Sequence, residues 1–301
     1  MISSARESEI RRMACRVICD SELYELPICP KAIAKKLDIE LKPWEPVSPG
    51  LSGFLMMANN EFVIGYATTL KNLGYENFTV AHELGHYHLD GHPQELLNNP
   101  KGTHFSKSGF VSTNRFEREA DIFAAELLMP GEMVQRAING TEVGLAAVKE
   151  ISDLCDTSLT AAAIKYSQIS PDPVCVVMSE GHRICWASAS TSLRNFGGLG
   201  WIEKNTPVPE KSCTFDFNSN LENVAEGREN SRETDWAHWF SEAPSIGAYE
   251  ETKGLGAYGK TLTVISSESI PGSIQEFEDE QSLTDNYIDC WKKGLFRNRK
   301  A

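Results

Sequence analysis

The feature that most constrains this chain is an eleven-residue stretch, HELGHYHLDGH, which runs from His82 to His92. Its first five residues form an H-E-x-x-H element. Because a helix turns by about 100° per residue, His82, Glu83 and His86 would project from one side of it. Two neutral imidazoles placed in this way can bind a zinc ion while the carboxylate faces a water molecule that the metal activates. The element also arises by chance, so the rest of the chain has to decide its meaning.

His92 is one of two candidates for the third protein ligand that a catalytic zinc site needs. It follows His82 by ten residues, as the last histidine does in the pattern H-E-x-x-H-x-x-G-x-x-H. That pattern requires a glycine where this chain has Leu89, so that the backbone can turn back to the metal. Gly91 comes too late to replace it. His92 is therefore the weaker candidate.

Glu117 is the other candidate, and we expect it to be the third ligand. It lies in a segment with apolar residues at helical spacing, namely Phe116, Ala120, Phe123, Ala124, Leu127 and Leu128. A glutamate from a second helix can complete a His₂Glu zinc site, and Asp121, one turn later, would accept a hydrogen bond from a ligating imidazole. Spacing alone leaves alternatives open. Glu117 could instead cap its own helix together with Asn114, and Glu119 is a second carboxylate nearby.

Periodicity and turn residues predict a mixture of helices and strands. We expect helices over residues 3–19, 30–36, 116–128, 142–154 and 158–169. The motif helix should begin near residues 77–79 and end at Gly91 and Pro93, before a polar loop that reaches Thr113. Strands are expected over residues 54–58, 62–67, 174–178, 184–188 and 262–266, the first two joined in a hairpin at Asn59 and Asn60. Pro171 and Pro173 suggest a domain boundary near residue 171.

Charge and hydropathy exclude several classes of partner. The 301 residues include 42 acidic and 29 basic side chains, a net charge of −13, which should repel DNA and anionic membranes. No stretch approaches the ~18 apolar residues that a membrane-spanning helix needs, and the N-terminus lacks the apolar core of a signal peptide. The eight cysteines form no C-x-x-C pair. We therefore expect a cytoplasmic protein with reduced thiols.

Two segments together resemble the ImmA/IrrE family of metallopeptidases. The first is FTVAHELGH, from Phe78 to His86, and the second runs from Glu117 to Pro130 with the sequence EREADIFAAELLMP. The similarity covers roughly residues 1–130. It implies that His82, His86 and Glu117 bind zinc, with manganese as a substitute, and that Glu83 is the catalytic acid and base. It also implies a zincin-like fold, with a small sheet packed on the active-site helix.

We expect an α+β architecture in three parts: the zinc metallopeptidase domain over residues 1–130, a helix-turn-helix-like linker over residues 131–170 and a C-terminal α/β domain over residues 171–301. Longer members of the family carry a GAF-like sensor domain behind the peptidase, so the resemblance implies this type for the C-terminal domain. In this family the substrate is typically a helix-turn-helix repressor, whose cleavage releases genes of a stress response, DNA damage response or mobile element. We therefore expect a site-specific peptidase with one protein partner.

The second half of the chain carries no recognised catalytic motif. Residues 142–169 resemble a helix-turn-helix in outline, but their charged residues are four acidic and two basic, and DNA contacts depend on Lys and Arg. We therefore expect no direct nucleic-acid binding. Trp236, Trp239 and Phe240 could face a ligand, although helical spacing of this kind is more typical of a core.

A different class of function also fits the motif. The zinc fold could bind and sequester a repressor or toxin without hydrolysing it. The intact Glu83 argues for catalysis, because a binding module has no need of an acid and base beside the metal. His88, His104 and Tyr87 could stabilise an oxyanion, but the sequence assigns none of them that role.

Overall fold

The computed structural model describes residues 2–45, 51–58, 61–69, 72–94, 103–107, 114–196, 199–240 and 243–267. These residues form two compact units. The first contains the described residues up to Met133 together with Leu154–Thr157, and the second contains Val134–Asp153 and the described residues from Ser158 onward. No described helix has the length and apolar character needed to cross a membrane.

The first unit combines helices with a four-stranded sheet. Its elements in chain order are α1 (Ser4–Asp20), α2 (Pro30–Lys36), β1 (Glu40–Trp44), β2 (Leu51–Ala58), β3 (Glu61–Ala67), α3 (Leu73–His88), β4 (Thr103–Lys107) and α4 (Arg115–Leu128). The strand order is β1-β3-β2-β4, with β1 parallel to β3 and the other pairs antiparallel. Helix α3 packs against β2, β3 and α4. The first unit is thus a mixed arrangement in which helices pack against one four-stranded sheet.

Three helices follow: α5 (Gly131–Ala137), α6 (Leu145–Leu154) and α7 (Leu159–Ile169). The elements after them are β5 (Val174–Glu180), β6 (Arg183–Ala189), α8 (Thr191–Asn195), α9 (Cys213–Asn218), α10 (Leu221–Ala225), β7 (Glu229–Asp235), α11 (Trp236–Trp239), β8 (Gly247–Gly254) and β9 (Thr261–Ser266). The five strands make an antiparallel sheet in the order β6-β5-β9-β8-β7. Buried runs in β5 and β9 explain why the sequence predicted these two strands, since every residue of β9 is buried.

The aromatic residues after β7 belong to the core of the second unit. Trp236 is fully buried, and Trp239 and Phe240 are 6% and 5% exposed. They pack in one apolar cluster with residues of β5 and β9, including Cys175, Val177 and Ile265. The core interpretation of these aromatic residues is therefore confirmed, and their side chains are held inside the unit.

Several boundaries differ from the sequence-based expectations. Helix α3 begins at Leu73, earlier than predicted, because the side chain of Asn72 caps it by accepting a hydrogen bond from the Tyr75 N–H. It ends at His88, before Gly91. Part of the predicted polar loop is strand β4, whose register with β2 supplies the backbone hydrogen bonds that the polar sequence did not reveal. The predicted hairpin of β2 and β3 is present, and its turn at Asn59 and Asn60 lies outside the described residues.

The helices after α4 also differ in part from the predicted ones. Helix α4 ends at Leu128, where the sequence predicted its end, and Gly131 begins the short helix α5, which the sequence did not predict. Helix α6 begins at Leu145, three residues later than predicted. Helix α7 matches its prediction closely because Ser158 caps it through the Ala161 N–H. The three-part division of the chain at residues 130 and 170 stays a prediction.

Candidate metal centre

Helix α3 buries the H-E-x-x-H residues beneath the sheet of the first unit. His82, Glu83 and His86 are 6%, 0% and 3% exposed. They lie in the second half of a sixteen-residue helix whose residues from Thr79 to His86 are all buried. Since polar side chains are rarely buried without a partner, their position under β2 and β3 indicates a functional site rather than a solvated helix face.

Gly85 allows helix α4 to approach the motif. A Cβ atom at this position would lie 3.1 Å from Cα of Ala120 and 3.2 Å from Cδ1 of Phe123. A side chain at residue 85 would therefore push the two helices apart by a few tenths of an ångström, and glycine avoids this. Ala120 is three residues after Glu117, so this contact brings the Glu117 carboxylate to the two motif histidines. The sequence contained this signal, in the glycine of HELGH and the alanine of EREAD, but its packing partner could not be read from it.

His82, His86 and Glu117 bring three donor atoms together. The two Nε2 atoms of the histidines are 3.2 Å apart. Nε2 of His82 lies 3.6 Å from Oε2 of Glu117, and Nε2 of His86 lies 3.2 Å from Oε1. Zinc bonds of about 2.0–2.1 Å in a tetrahedron require about 3.3–3.4 Å between ligand atoms. The spacing and chemistry of this donor set therefore fit a divalent metal ion.

Asp121 contacts the first motif histidine on the side away from the donor cluster. Its Oδ1 lies 2.9 Å from Nδ1 of His82. A carboxylate can only accept a hydrogen bond, so Nδ1 carries a proton, and Nε2 is the nitrogen atom directed to the cluster. This contact is the one that the sequence predicted for Asp121, on the same helix as Glu117 and one turn further along.

The two motif histidines have opposite tendencies to take up a proton. Burial alone would lower the pKa of His82, but hydrogen bonds to Asp121 and Glu117 raise it to about 10. Burial lowers the pKa of His86 to about 3. Burial alone would raise the pKa of the Glu117 carboxyl, but hydrogen bonds from His104, His82 and His86 hold it far below the ordinary value. The cluster is therefore an ionised carboxylate facing shared protons, which a metal cation could displace.

Glu83 is a fully buried carboxylate. Neither of its oxygen atoms has a hydrogen-bond partner among the described residues. Burial raises its pKa to about 7, although the nearby His82 opposes this shift. A buried and unpaired carboxyl costs folding free energy, so it indicates a group retained for chemistry. A pKa close to neutrality suits a residue that takes up and then releases a proton.

Of the three residues that could stabilise an oxyanion, His104 faces the donor cluster, and Tyr87 and His88 pack against phenylalanines. Nε2 of His104, on β4, lies 2.7 Å from Oε1 of Glu117, so this residue faces the cluster. Tyr87 packs edge-on against Phe62, and His88 stacks against Phe123. Sequence patterns could not distinguish among the three residues, because they predicted a loop at His104. Its strand position, opposite Leu55 of β2, directs it to the site.

His92 contacts His86 from behind and lies outside the cluster of donor atoms. Its Nδ1 lies 3.0 Å from Nδ1 of His86, on the side of that imidazole away from Glu117. The three-residue group that could hold a metal among the described residues contains Glu117 and not His92. Of the two candidates for the third ligand, the structure thus brings Glu117 to the motif histidines.

Comparison with known proteins identifies relatives of the region that carries this centre. Residues 63–152 match the family model Peptidase_M78, the IrrE N-terminal-like domain. Metallopeptidase ImmA from Bacillus subtilis (strain 168) is 37% identical over 68 residues, which are 23% of this chain and 36% of that protein. The uncharacterized immunity region protein 2 of Bacillus phage phi105 is 26% identical over 137 residues, or 42% of this chain and 81% of that protein. The chain thus spans about a third of the length of the ImmA relative.

A solved structure shares the fold over a larger part of the chain. A Mycobacterium tuberculosis transcriptional regulator superposes with a TM-score of 0.54 at 12% sequence identity. The superposition covers 86% of this chain and 76% of the regulator. At this identity the likeness shows a common fold alone.

Proposed function

Because residues 63–152 belong to the ImmA/IrrE family of metallopeptidases, we propose that this chain is a zinc-dependent, site-specific endopeptidase. The observation that carries the proposal is the cluster of His82, His86 and Glu117, whose donor atoms are spaced for one tetrahedral metal ion. These three residues are the proposed zinc ligands. Asp121 is proposed to orient His82 through its hydrogen bond to Nδ1.

Glu83 is the proposed catalytic acid and base. When bound, zinc supplies a Lewis acid that polarises the scissile carbonyl and lowers the pKa of water. The Glu83 carboxylate accepts a proton from the attacking water and later delivers it to the amine that leaves. Its burial, its lack of a hydrogen-bond partner among the described residues and its raised pKa support this assignment.

The proposed substrate is a helix-turn-helix transcriptional repressor, cut at one bond so that stress, DNA-damage or mobile-element genes are expressed. The support comes from the family resemblance of the two motif segments. The acidic net charge of −13 favours a protein partner over direct contact with DNA. The protein would then act on a repressor without competing for its operator.

The second unit is proposed to regulate the peptidase. We assign residues 1–130 to the peptidase domain, residues 131–170 to a helical linker and residues 171–301 to a GAF-like sensor domain. The five-stranded antiparallel sheet with short helices around it supports a separate domain of this type. Thermal shift measurements with small-molecule libraries test the sensor role, and a ligand that stabilises the chain should also change its cleavage rate.

The proposed activity is tested by incubating the zinc-loaded protein with repressors encoded beside its gene. We expect one repressor to be cut at a single bond, identified by mass spectrometry of the fragments. Casein, incubated in parallel, should stay intact. Equal degradation of casein and repressor would contradict the proposed specificity.

The Glu83→Gln variant distinguishes cleavage of a repressor from binding of the repressor without cleavage. The variant removes the proton acceptor but keeps the shape of the side chain, so zinc should still bind at one ion per chain while cleavage is lost. If the variant cuts the repressor as fast as the wild type, Glu83 is not the base. If the wild type binds the repressor tightly and leaves it uncut, the chain is a sequestering module instead.

A further inference from the structure

His92 and Glu119 form a buried polar pair that the proposed mechanism leaves unused. Both side chains are 0% exposed. Neither is among the proposed zinc ligands, yet His92 contacts one of them, His86, and Glu119 contacts His92. Burying an imidazole and a carboxylate costs free energy unless they make specific contacts. The contacts that they make therefore indicate what the pair does.

His92 and Glu119 form a series of contacts that starts at His86, the second motif histidine. Nδ1 of His86 lies 3.0 Å from Nδ1 of His92, and Nε2 of His92 lies 3.4 Å from Oε2 of Glu119. The two nitrogen atoms of His92 thus contact one partner each. The series begins at the imidazole that faces Glu117 and ends at a carboxylate on the same helix as Glu117.

Two arginines bind Glu119, the carboxylate at the end of this series of contacts. Arg6 of α1 donates to Oε2 of Glu119 through Nε at 3.0 Å and through Nη2 at 2.5 Å. Nε of Arg115 donates to Oε1 at 2.5 Å. A guanidinium group can only donate hydrogen bonds, so both oxygen atoms of Glu119 are acceptors, and the carboxylate donates none.

The Glu119 carboxylate sets the direction of the two hydrogen bonds in the series, the one to His92 and the one between His92 and His86. Glu119 accepts, so Nε2 of His92 must carry the proton and Nδ1 of His92 must be the acceptor. Nδ1 of His86 must then be the donor. The Nε2 lone pair of His86 is consequently left facing Nε2 of His82 and the Glu117 carboxylate.

We propose that His92 and Glu119 are positioning residues that hold His86 in the tautomer required for metal binding. The inference rests on the proposed zinc site. It gives His86 what Asp121 gives His82 directly, a fixed proton on Nδ1. The difference is that a second imidazole carries the effect from the carboxylate to the ligand. His92 thus supports the metal from behind His86 and does not bind it.

The proposal predicts different zinc affinities for two replacements of His92. His92→Leu removes the acceptor for His86 and should weaken zinc binding by about 10- to 100-fold, the usual effect of losing such a partner. His92→Gln should restore most of the affinity, because an amide can accept from His86 and donate to Glu119. Zinc dissociation constants are measured by competition with a chromogenic chelator. His88→Leu, which removes a neighbouring imidazole stacked on Phe123, is the control and should keep the wild-type affinity.

The tautomer itself provides a readout that a merely structural role would not change. Long-range ¹⁵N–¹H NMR of the metal-free protein should show the His86 proton on Nδ1 in the wild type and in His92→Gln. His92→Leu should show a mixture of tautomers. If His92→Leu binds zinc as tightly as the wild type and keeps the Nδ1–H tautomer, the proposal is wrong.

Glu119→Gln decides the question if His92→Leu fails to fold. An amide at this position can donate to His92, so it no longer fixes the direction of the hydrogen bonds from residue 119 through His92 to His86. Zinc affinity should therefore again fall by about 10- to 100-fold. Wild-type affinity in Glu119→Gln would overturn the proposal. Because these measurements use zinc binding and the metal-free protein, loss of the proposed peptidase function would appear separately, as an absence of repressor cleavage by the wild type.

Discussion

Gly53 of β2 is packed directly against the Glu83 side chain. A Cβ atom on Gly53 would lie 2.9 Å from Oε1 of Glu83, 2.5 Å from Cγ2 of Thr79 and 2.8 Å from the carbonyl oxygen of Gly65. The last of these is backbone and cannot move aside easily. The strand therefore fits over the motif helix only because residue 53 has no side chain, and the position of the carboxylate depends on that fit.

Gly53→Ala should therefore reduce both stability and activity. The added methyl group overpacks the interface of β2 with α3, which typically costs about 1–3 kcal/mol of unfolding free energy. It should also displace the Glu83 carboxylate and lower the cleavage rate more than the zinc affinity. Urea unfolding, chelator competition and repressor cleavage measure the three effects. Gly247→Ala is the control, since a Cβ atom there meets no other atom within 4 Å, and equal effects in both variants would contradict the prediction.

Glu117→Ala should strip or greatly weaken the bound metal. The change removes one of three donors and leaves two imidazoles whose Nε2 atoms are 3.2 Å apart. The measurement is zinc per chain after dialysis against a weak chelator. Asp90→Ala removes an exposed carboxylate just beyond α3 and should keep the full metal content. A full complement of zinc in Glu117→Ala would return His92 to consideration as the third ligand.

The metal-free protein should show a stability that depends on the ionisation of Glu83. The folded-state pKa of this carboxyl is raised from 4.5 to about 7. The folded protein therefore holds the proton more tightly than the unfolded chain, and this contribution to stability is full below pH 4.5 and is lost as the pH rises through 7. At about 1.4 kcal/mol per pKa unit, the loss is about 3 kcal/mol at most.

Glu83→Gln removes this loss because glutamine does not ionise. In the presence of a strong chelator, urea unfolding should show the variant gaining stability over the wild type at pH 8 relative to pH 4. The comparison of the two proteins at each pH cancels the titration of the other groups. An identical difference in unfolding free energy at the two pH values would show that Glu83 titrates normally.

Trp236→Ala should strongly destabilise the second unit. Its side chain is fully buried, and Nε1 donates to the Ser267 hydroxyl at 3.2 Å. Truncating such a residue typically costs about 3–5 kcal/mol. Trp201 is 61% exposed, and Trp201→Ala should change stability by less than about 0.5 kcal/mol. Thermal unfolding of both variants, followed by tryptophan fluorescence, makes the comparison, and a small effect at Trp236 would argue for a ligand-facing role.

Local periodicity was sufficient to predict several helices and strands of this protein, including the two helices that carry the candidate metal ligands. The H-E-x-x-H spacing placed His82, Glu83 and His86 on one helix face, and the apolar stripe after Phe116 predicted α4 within a residue of its observed start. Strands β5 and β9 followed from runs of buried apolar residues. These features can be read from neighbours in the chain, because the helix and strand repeats relate residues that are only a few positions apart.

The residues that complete the site lie far from the motif in sequence, and packing between helices and strands brings them to it. Local spacing offered both His92 and Glu117 to the motif, and only the close approach of α3 to α4, through Gly85 and Ala120, brought Glu117 to the donor cluster. The same packing turned His92 toward the back of His86. His104 could be placed only by the pairing of β4 with β2. These relationships join residues far apart in sequence, and the free energy that selects them comes from packing and hydrogen bonding across elements, which no local pattern records.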